Sequence, residues 1–292
     1  MMLTRRVRGR TLLFRPCPRT NQIVQYVVAV MAAKWNICVH AFTFLSNHWH
    51  GCVTDPDGSI VEFQRDTHTF IARALNTHFG EFEAVWASDG TSRVECEGPE
   101  DLIRRIAYTM ANPVESRLVR HGSSWPGARR AWPSKPRVIK RPPKFFRGED
   151  EGGVWPEEAV LVMTRPPGYE EWSDEELAGV IKAAIDEREQ QFRDRYDRAG
   201  KKFMGRRRVL EQPRHTSART PERKFGISPR VGCANKWARI ERLQSDKRWL
   251  NGYCAALSSW RAGNRDVEFP AGTYKMRVVH GARCVPCARG PD

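Results

Sequence analysis

Ile37-Cys38-Val39-His40-Ala41-Phe42-Thr43-Phe44-Leu45-Ser46-Asn47-His48-Trp49-His50-Gly51-Cys52-Val53-Thr54 is the stretch on which the fold reading turns. Residues 37–45 are rich in β-branched and aromatic side chains, which favour a pleated, half-buried strand. Ser46-Asn47 is a turn signal, and His48–Thr54 follows as a second strand. Alternation then places His48 and His50 on one face and Trp49 on the other. Working backwards, residues 10–15 (RTLLFR) form a short strand candidate, and Thr20 caps a helix carrying Ile23, Val24, Val27, Met31 and Trp35 at helical spacing. Working forwards, Ser59 opens a helix with Ile60, Phe63, Thr67, Phe70, Ile71 and Ala74 on one face and Gly80 as its stop. Asp89-Gly90 marks a turn before a weak strand at 93–97, and Pro99 starts a helix expected to end by Pro113. The order β-α-β-β-α-β-α suits an α+β fold, a ferredoxin-like or RRM-like antiparallel sheet with helices on one face.

Across the 292 residues, 49 Lys+Arg against 34 Asp+Glu give a net charge of +15. Such an excess points to a polyanion, most simply nucleic acid or an anionic membrane surface, although a merely soluble basic surface has the same composition. The longest apolar run, 26–33, is far short of the roughly 20 residues a membrane span requires, so no membrane is expected as a partner. The basic start of the chain has only Leu12-Leu13-Phe14 as an apolar core, which does not make a secretory signal. A cytoplasmic setting with reduced thiols is the resulting expectation for the eight cysteines.

Charge is uneven along the chain. Residues 116–148 hold no Asp or Glu but ten cations, among them Arg117, Arg120, Arg129, Arg130 and Arg147, together with five prolines. The segment reads as an extended basic connector, either following a phosphate backbone or simply solvated. The expected division is a domain over 1–127, a basic then acidic Pro/Gly-rich linker over 128–170, a smaller, mostly helical basic module over 171–275, and a tail over 276–292. In the module, Ser173 and Glu176 form a capping box heading a helix to about Arg198. Residues 236–262 make another helix with Trp237, Ile240, Leu243, Leu250, Tyr253, Leu257 and Trp260 on its apolar side. Cys284 and Cys287 are half of a zinc pattern that lacks a second pair at suitable spacing.

Two imidazoles on one face of a strand are a metal half-site, yet two structural histidines give the same pattern. The helix from Pro99 sharpens the choice. Leu102, Ile103, Ile106 and Met110 make its apolar stripe, while Tyr108 and Asn112, i and i+4 neighbours, fall together nearly opposite it. A phenol and a carboxamide so placed can converge on a metal or a phosphate; a tyrosine simply exposed on a helix is the alternative.

At this point the chain resembles a family. His48-Trp49-His50 matches the HUH motif (His, hydrophobic, His), and Tyr108-Thr-Met-Ala-Asn112-Pro-Val matches the tyrosine helix of single-tyrosine HUH transposases, with REP-associated tyrosine transposases as the most similar group. The likeness spans roughly residues 8–127 and includes Val39-His40-Ala41, Ser46-Asn47 and Trp125-Pro126. It implies a Mg2+ or Mn2+ ion held by His48, His50 and Asn112, with Tyr108 attacking single-stranded DNA that bears a hairpin. The products would be a 5′-phosphotyrosine and a free 3′-OH, with no nucleotide cofactor and no base assigned. Arg8, Arg10, Arg15, Arg117, Arg120, Arg129 and Arg130 are the expected nucleic-acid contacts, and a homodimer is left open. A domesticated, non-catalytic hairpin binder is the alternative; an RNA-binding module on the same sheet lacks stacking aromatics. The chain departs from its relatives at Gly51-Cys52, where they carry aliphatics, and at Val85-Trp86-Ala87-Ser88.

Overall fold

A computed structural model describes residues 1–145, 155–219 and 230–286. The hairpin read from the sequence is its centre: β2 (Cys38–Phe44) and β3 (His48–Thr54) pair antiparallel, with Phe44 opposite Trp49 and Thr43 opposite His50. β1 (Met2–Arg6) lies along the other side of β3, and β4 (Ser92–Val94) pairs with β1. β5 (Arg129–Ala131) adds beyond β2, so the five-stranded sheet runs β4-β1-β3-β2-β5 and every pairing is antiparallel. The first four of these strands have the split βαβ order of a ferredoxin-like sheet.

The first strand is not at 10–15. Gly9 and Arg10 adopt left-handed φ of 54° and 55° in a short 3-10 turn that takes the chain out of the sheet after β1. Leu12, Leu13 and Phe14 are buried as a loop instead, and Met2 and Leu3 supply the apolar residues of the strand. α1 (Pro18–Lys34) also starts earlier than expected, because Pro18 suits the first turn and the Cys17 sulfur, not Thr20, accepts the Thr20 N–H at 3.3 Å. α2 (Ile60–Phe79) ends at Gly80 with φ 70°, as read.

Strand alternation sorts the layers. α2, with α1 packed on it, covers the face of Trp49, whose indole N–H donates to His68 Nε2 at 3.2 Å. The Trp49 ring also explains Gly51: a Cβ there would stand 2.6 Å from it. These are the helices expected on one face. α3 (Pro99–Glu115) lies against the opposite face, where Thr109 meets Cys52, Met110 meets Thr43 and Asn112 meets His50. It runs through Pro113 rather than stopping there. Proline lacks only its own N–H donor, and the Ser116 N–H still closes on the Asn112 carbonyl at 2.8 Å.

The expected linker over 128–170 is folded in its described parts, 128–145 and 155–170. After β5, β6 (Arg137–Lys140) and β7 (Glu158–Leu161) form a two-stranded sheet against α1, where Gln22 donates to the Lys140 carbonyl at 2.9 Å. Trp132, Ile139, Phe145, Leu161 and Met163 enter the main core, which is why the run does not behave as a solvated connector. Arg147 lies outside the described residues.

α4 (Asp174–Arg198) opens with the capping box expected, Ser173 and Glu176 bonding reciprocally at 3.2 and 2.8 Å. It packs along α3, and Leu177 and Ile181 join the main core, so the boundary expected at 171 does not separate two bodies. α5 (Arg206–Glu211) buries Val209 beside Leu45 and Trp125. α6 (Lys236–Arg261) and α7 (Tyr274–His280) make a small separate cluster around Phe269 and Met276. Only the end of α6 packs there: Trp237, Leu243 and Leu250 stay exposed, because no element among the described residues covers that part of the stripe. Cys287, the partner proposed for Cys284, is outside the described residues. No helix among the described residues is long and apolar enough to cross a membrane.

Candidate active site

The turn at Ser46-Asn47 sets the register that brings two imidazoles out on the α3 side of β3. Their ring centroids lie 4.9 Å apart with planes at 83°. Asn47 Oδ1 sits 2.7 Å from His48 Nδ1. A carboxamide oxygen only accepts, so Nδ1 carries the proton and Nε2 keeps a lone pair. For His50, Thr4 Oγ1 lies 2.8 Å from Nδ1, while the Asn112 amide nitrogen approaches Nε2 at 3.3 Å. The amide donates to Nε2, which leaves Nδ1–H to donate to Thr4. Outer partners thus orient both rings and set both tautomers.

The same pocket keeps both rings neutral. Burial holds the His48 imidazole down at about 4 against a stabilising contact with Asn112, and the nearby Arg6 and Arg10 push it the same way as burial. Burial, then the neighbouring His48, lowers His50 well below the usual histidine range. Neutral imidazoles are the form in which histidine binds metals.

α3 brings the other two residues. Asn112, 3% exposed, sits between the histidines and Ser116, whose hydroxyl donates to Asn112 Oδ1 at 3.2 Å. One turn earlier, the Tyr108 ring meets the His50 ring edge-on, centroids 5.1 Å apart and planes at 81°. Burial raises the Tyr108 phenol, and Glu115 adds to the rise; Arg188, Arg105 and a hydrogen bond with Asn112 oppose it. The phenol is therefore neutral at pH 7. Among the described residues, no group of three His, Cys, Asp or Glu side chains stands together as a metal cage.

The seven candidate arginines divide. Arg8 pairs with Glu83, and Arg120 pairs with Asp197 at 2.7 Å, both half-exposed. Arg117 caps the Tyr196 ring at 5.8 Å. Arg15 donates to the Gln212 carbonyl at 3.2 Å, and Arg130 to the Lys135 carbonyl at 2.9 Å. Arg10 lies near enough to His48 to repel its charged form. Arg129 is turned inward, donating to the Met110 carbonyl at 2.9 Å and facing the buried Glu189 at 3.6 Å. It joins the α3 backbone to the α4 carboxylate, with 17% of its side chain left exposed.

Three residues of the site, one against His50 and two beside the tyrosine, escaped the sequence reading. Thr4 became visible only once β1 was placed at Met2–Arg6. Glu115 sits seven residues after Tyr108, two helical turns on and on the same face, a spacing that could have marked it. Arg188 comes from α4, and its guanidinium lies 4.9 Å from the Tyr108 ring centre and 3.0 Å from Glu115 Oε2. No local signal announces that contact.

No family model matches the chain, and no curated protein matches it. Among solved structures, one of a REP-associated tyrosine transposase bound to a REP hairpin aligns with 43% of this chain and 73% of that chain, at 18% identity and a TM-score of 0.35.

Proposed function

We propose that this chain cleaves and rejoins single-stranded DNA bearing a hairpin, with Tyr108 as the nucleophile. The observation that carries the proposal is the edge contact between Tyr108 and His50, 5.1 Å between centroids, beside a second neutral imidazole and Asn112. The HUH-like and tyrosine-helix motifs, 62 positions apart from His50 to Asn112, meet at one place. The charge of +15 supplies the attraction to a phosphate backbone.

In the reaction, the Tyr108 oxygen forms a bond to the scissile phosphorus and gives up its proton. The bond from phosphorus to the 3′-oxygen breaks, and that oxygen takes a proton to become a free 3′-OH. The 5′ side remains on the protein as a phosphotyrosine diester. A 3′-OH from another strand reverses the exchange and joins the ends. Because one phosphodiester replaces another, no nucleotide cofactor enters the balance.

The donor set suits a divalent ion: both imidazoles keep Nε2 unprotonated, and an ion would displace the Asn112 N–H that His50 Nε2 accepts. A Mg2+ or Mn2+ ion held by His48, His50 and Asn112 would polarise the scissile phosphate and neutralise charge developing on its oxygens. Thr4 and Asn47 keep the imidazoles oriented, and the Trp49 ring seals the strand from behind.

The test is a denaturing gel of the full chain with labelled single-stranded hairpin DNA, with and without Mn2+. Wild type forms a covalent adduct; Tyr108→Phe forms none and binds the DNA normally. EDTA or His48→Ala with His50→Ala removes the adduct. An adduct that survives in Tyr108→Phe rejects the nucleophile, and an unaltered rate in EDTA rejects the ion. A second reading, a non-catalytic hairpin binder, draws on the Asn112 oxygen, which already accepts from Ser116 at 3.2 Å. It predicts tight, salt-sensitive binding and no adduct with either metal.

A further inference from the structure

Nothing in the sequence motifs involves α4, yet it supplies a cation that lies over the tyrosine ring. The Arg188 guanidinium lies 4.9 Å from the centre of the Tyr108 ring and 5.4 Å from the centre of the Phe192 ring. One of its nitrogens is held by Glu115 Oε2 at 3.0 Å. Glu115 is itself fixed, since the Tyr196 hydroxyl donates to its backbone carbonyl. Tyr108 is thus gripped between the His50 edge and a guanidinium braced by three residues from α3 and α4.

We infer that Arg188 is a positioning residue for the Tyr108 chemistry: it holds the phenol ring by its face and leaves the oxygen to attack. The inference rests on the tyrosine reading above. A ring on a helix surface samples several rotamers, whereas attack on phosphorus needs one orientation held close to the reacting geometry. A planar guanidinium suits a flat ring, and its charge favours the build-up of negative charge on the phenol oxygen. Lysine offers the charge without the plane. On this account residues 174–198 complete the active site, although the family likeness ends near residue 127.

The experiment measures the single-turnover rate of adduct formation, and the DNA concentration at half-saturation, in the full chain with Mn2+. Arg188→Ala lowers the rate roughly tenfold, the factor a partly desolvated cation–ring contact supplies, and moves half-saturation less than about twofold. Arg188→Lys falls between, and millimolar methylguanidinium restores part of the alanine variant's rate. A role confined to packing α4 on α3 would lower the melting temperature and show no such rescue. In parallel, nitration of Tyr108 followed by mass spectrometry reports the cover on the ring without any turnover. It speeds up in Arg188→Ala and, less so, in Glu115→Gln. Unchanged rate and unchanged nitration overturn the inference, as does a rate loss that merely follows lost DNA affinity. If wild type forms no adduct, the transposase reading fails, and the nitration comparison alone decides whether Arg188 holds the ring.

Discussion

α3 and α6 are both amphipathic by sequence, and they met different fates. α3 carries Tyr108, Thr109 and Asn112 among its apolar residues; Thr109 and Asn112 are buried against the sheet, and Tyr108 is half-buried beneath Arg188 of α4. α6 carries larger apolar groups, including Trp237, Trp249 and Trp260, yet only Ala256 is fully buried along its length. Periodicity describes a face; whether that face becomes an interior depends on what is brought to it. Polar chemistry survives in α3 because each polar atom found a partner inside, such as Ser116 for Asn112.

The comparison can be broken in order of expected effect. The strongest attack is on the brace between α3 and α4. Glu189 accepts from the Gly122 N–H at 3.1 Å and from Arg193 at 3.2 Å, beside Arg129 at 3.6 Å. Removing a buried carboxylate from such a cluster leaves cations unpaired, so Glu189→Ala loses about 3–5 kcal/mol in urea unfolding. Next comes Ile106→Ala in α3, which empties a fully buried site and costs about 2–4 kcal/mol in the same assay. A stability near wild type in either variant would show that α3 is not locked in place.

Acid offers a milder perturbation. His40 and His68 are held by burial at about 4 and about 3, below the ordinary histidine value of 6.5. Below about pH 6.5 the unfolded chain takes up protons that the folded chain refuses, so stability is complete above that pH and drains away as pH falls toward those values. The melting temperature therefore declines from pH 7 to pH 5, and His68→Gln makes the decline shallower. The smallest effect belongs to α6: Trp237→Ala shifts unfolding by no more than about 0.5 kcal/mol. A larger loss there would mean that its exposed face has a partner in solution.

Much of the site was legible in advance. The His48 and His50 pair follows from strand alternation, and Tyr108 with Asn112 from helical spacing, because both are local properties of the backbone. The hairpin, the Gly80 stop and the Ser173 capping box were equally readable, each depending on residues at most a few positions apart. Misplacing the first strand at 10–15 came from weighing Leu12-Leu13-Phe14 as strand when a left-handed turn at Gly9 and Arg10 makes them a buried loop. Residues 128–170 misled in the opposite sense, since their charge density hid the Trp132, Ile139 and Phe145 that anchor them.

By itself the amino-acid order determined the identities and faces of the tyrosine, the asparagine and the two histidines, since a strand repeats every two residues and a helix about every 3.6. Only the tertiary structure decided that those faces meet, that Arg129 turns inward to Glu189, and that Arg188 closes over the phenol. Contacts between segments far apart in the chain depend on the packing of whole elements, and no local spacing encodes which side chain arrives opposite another.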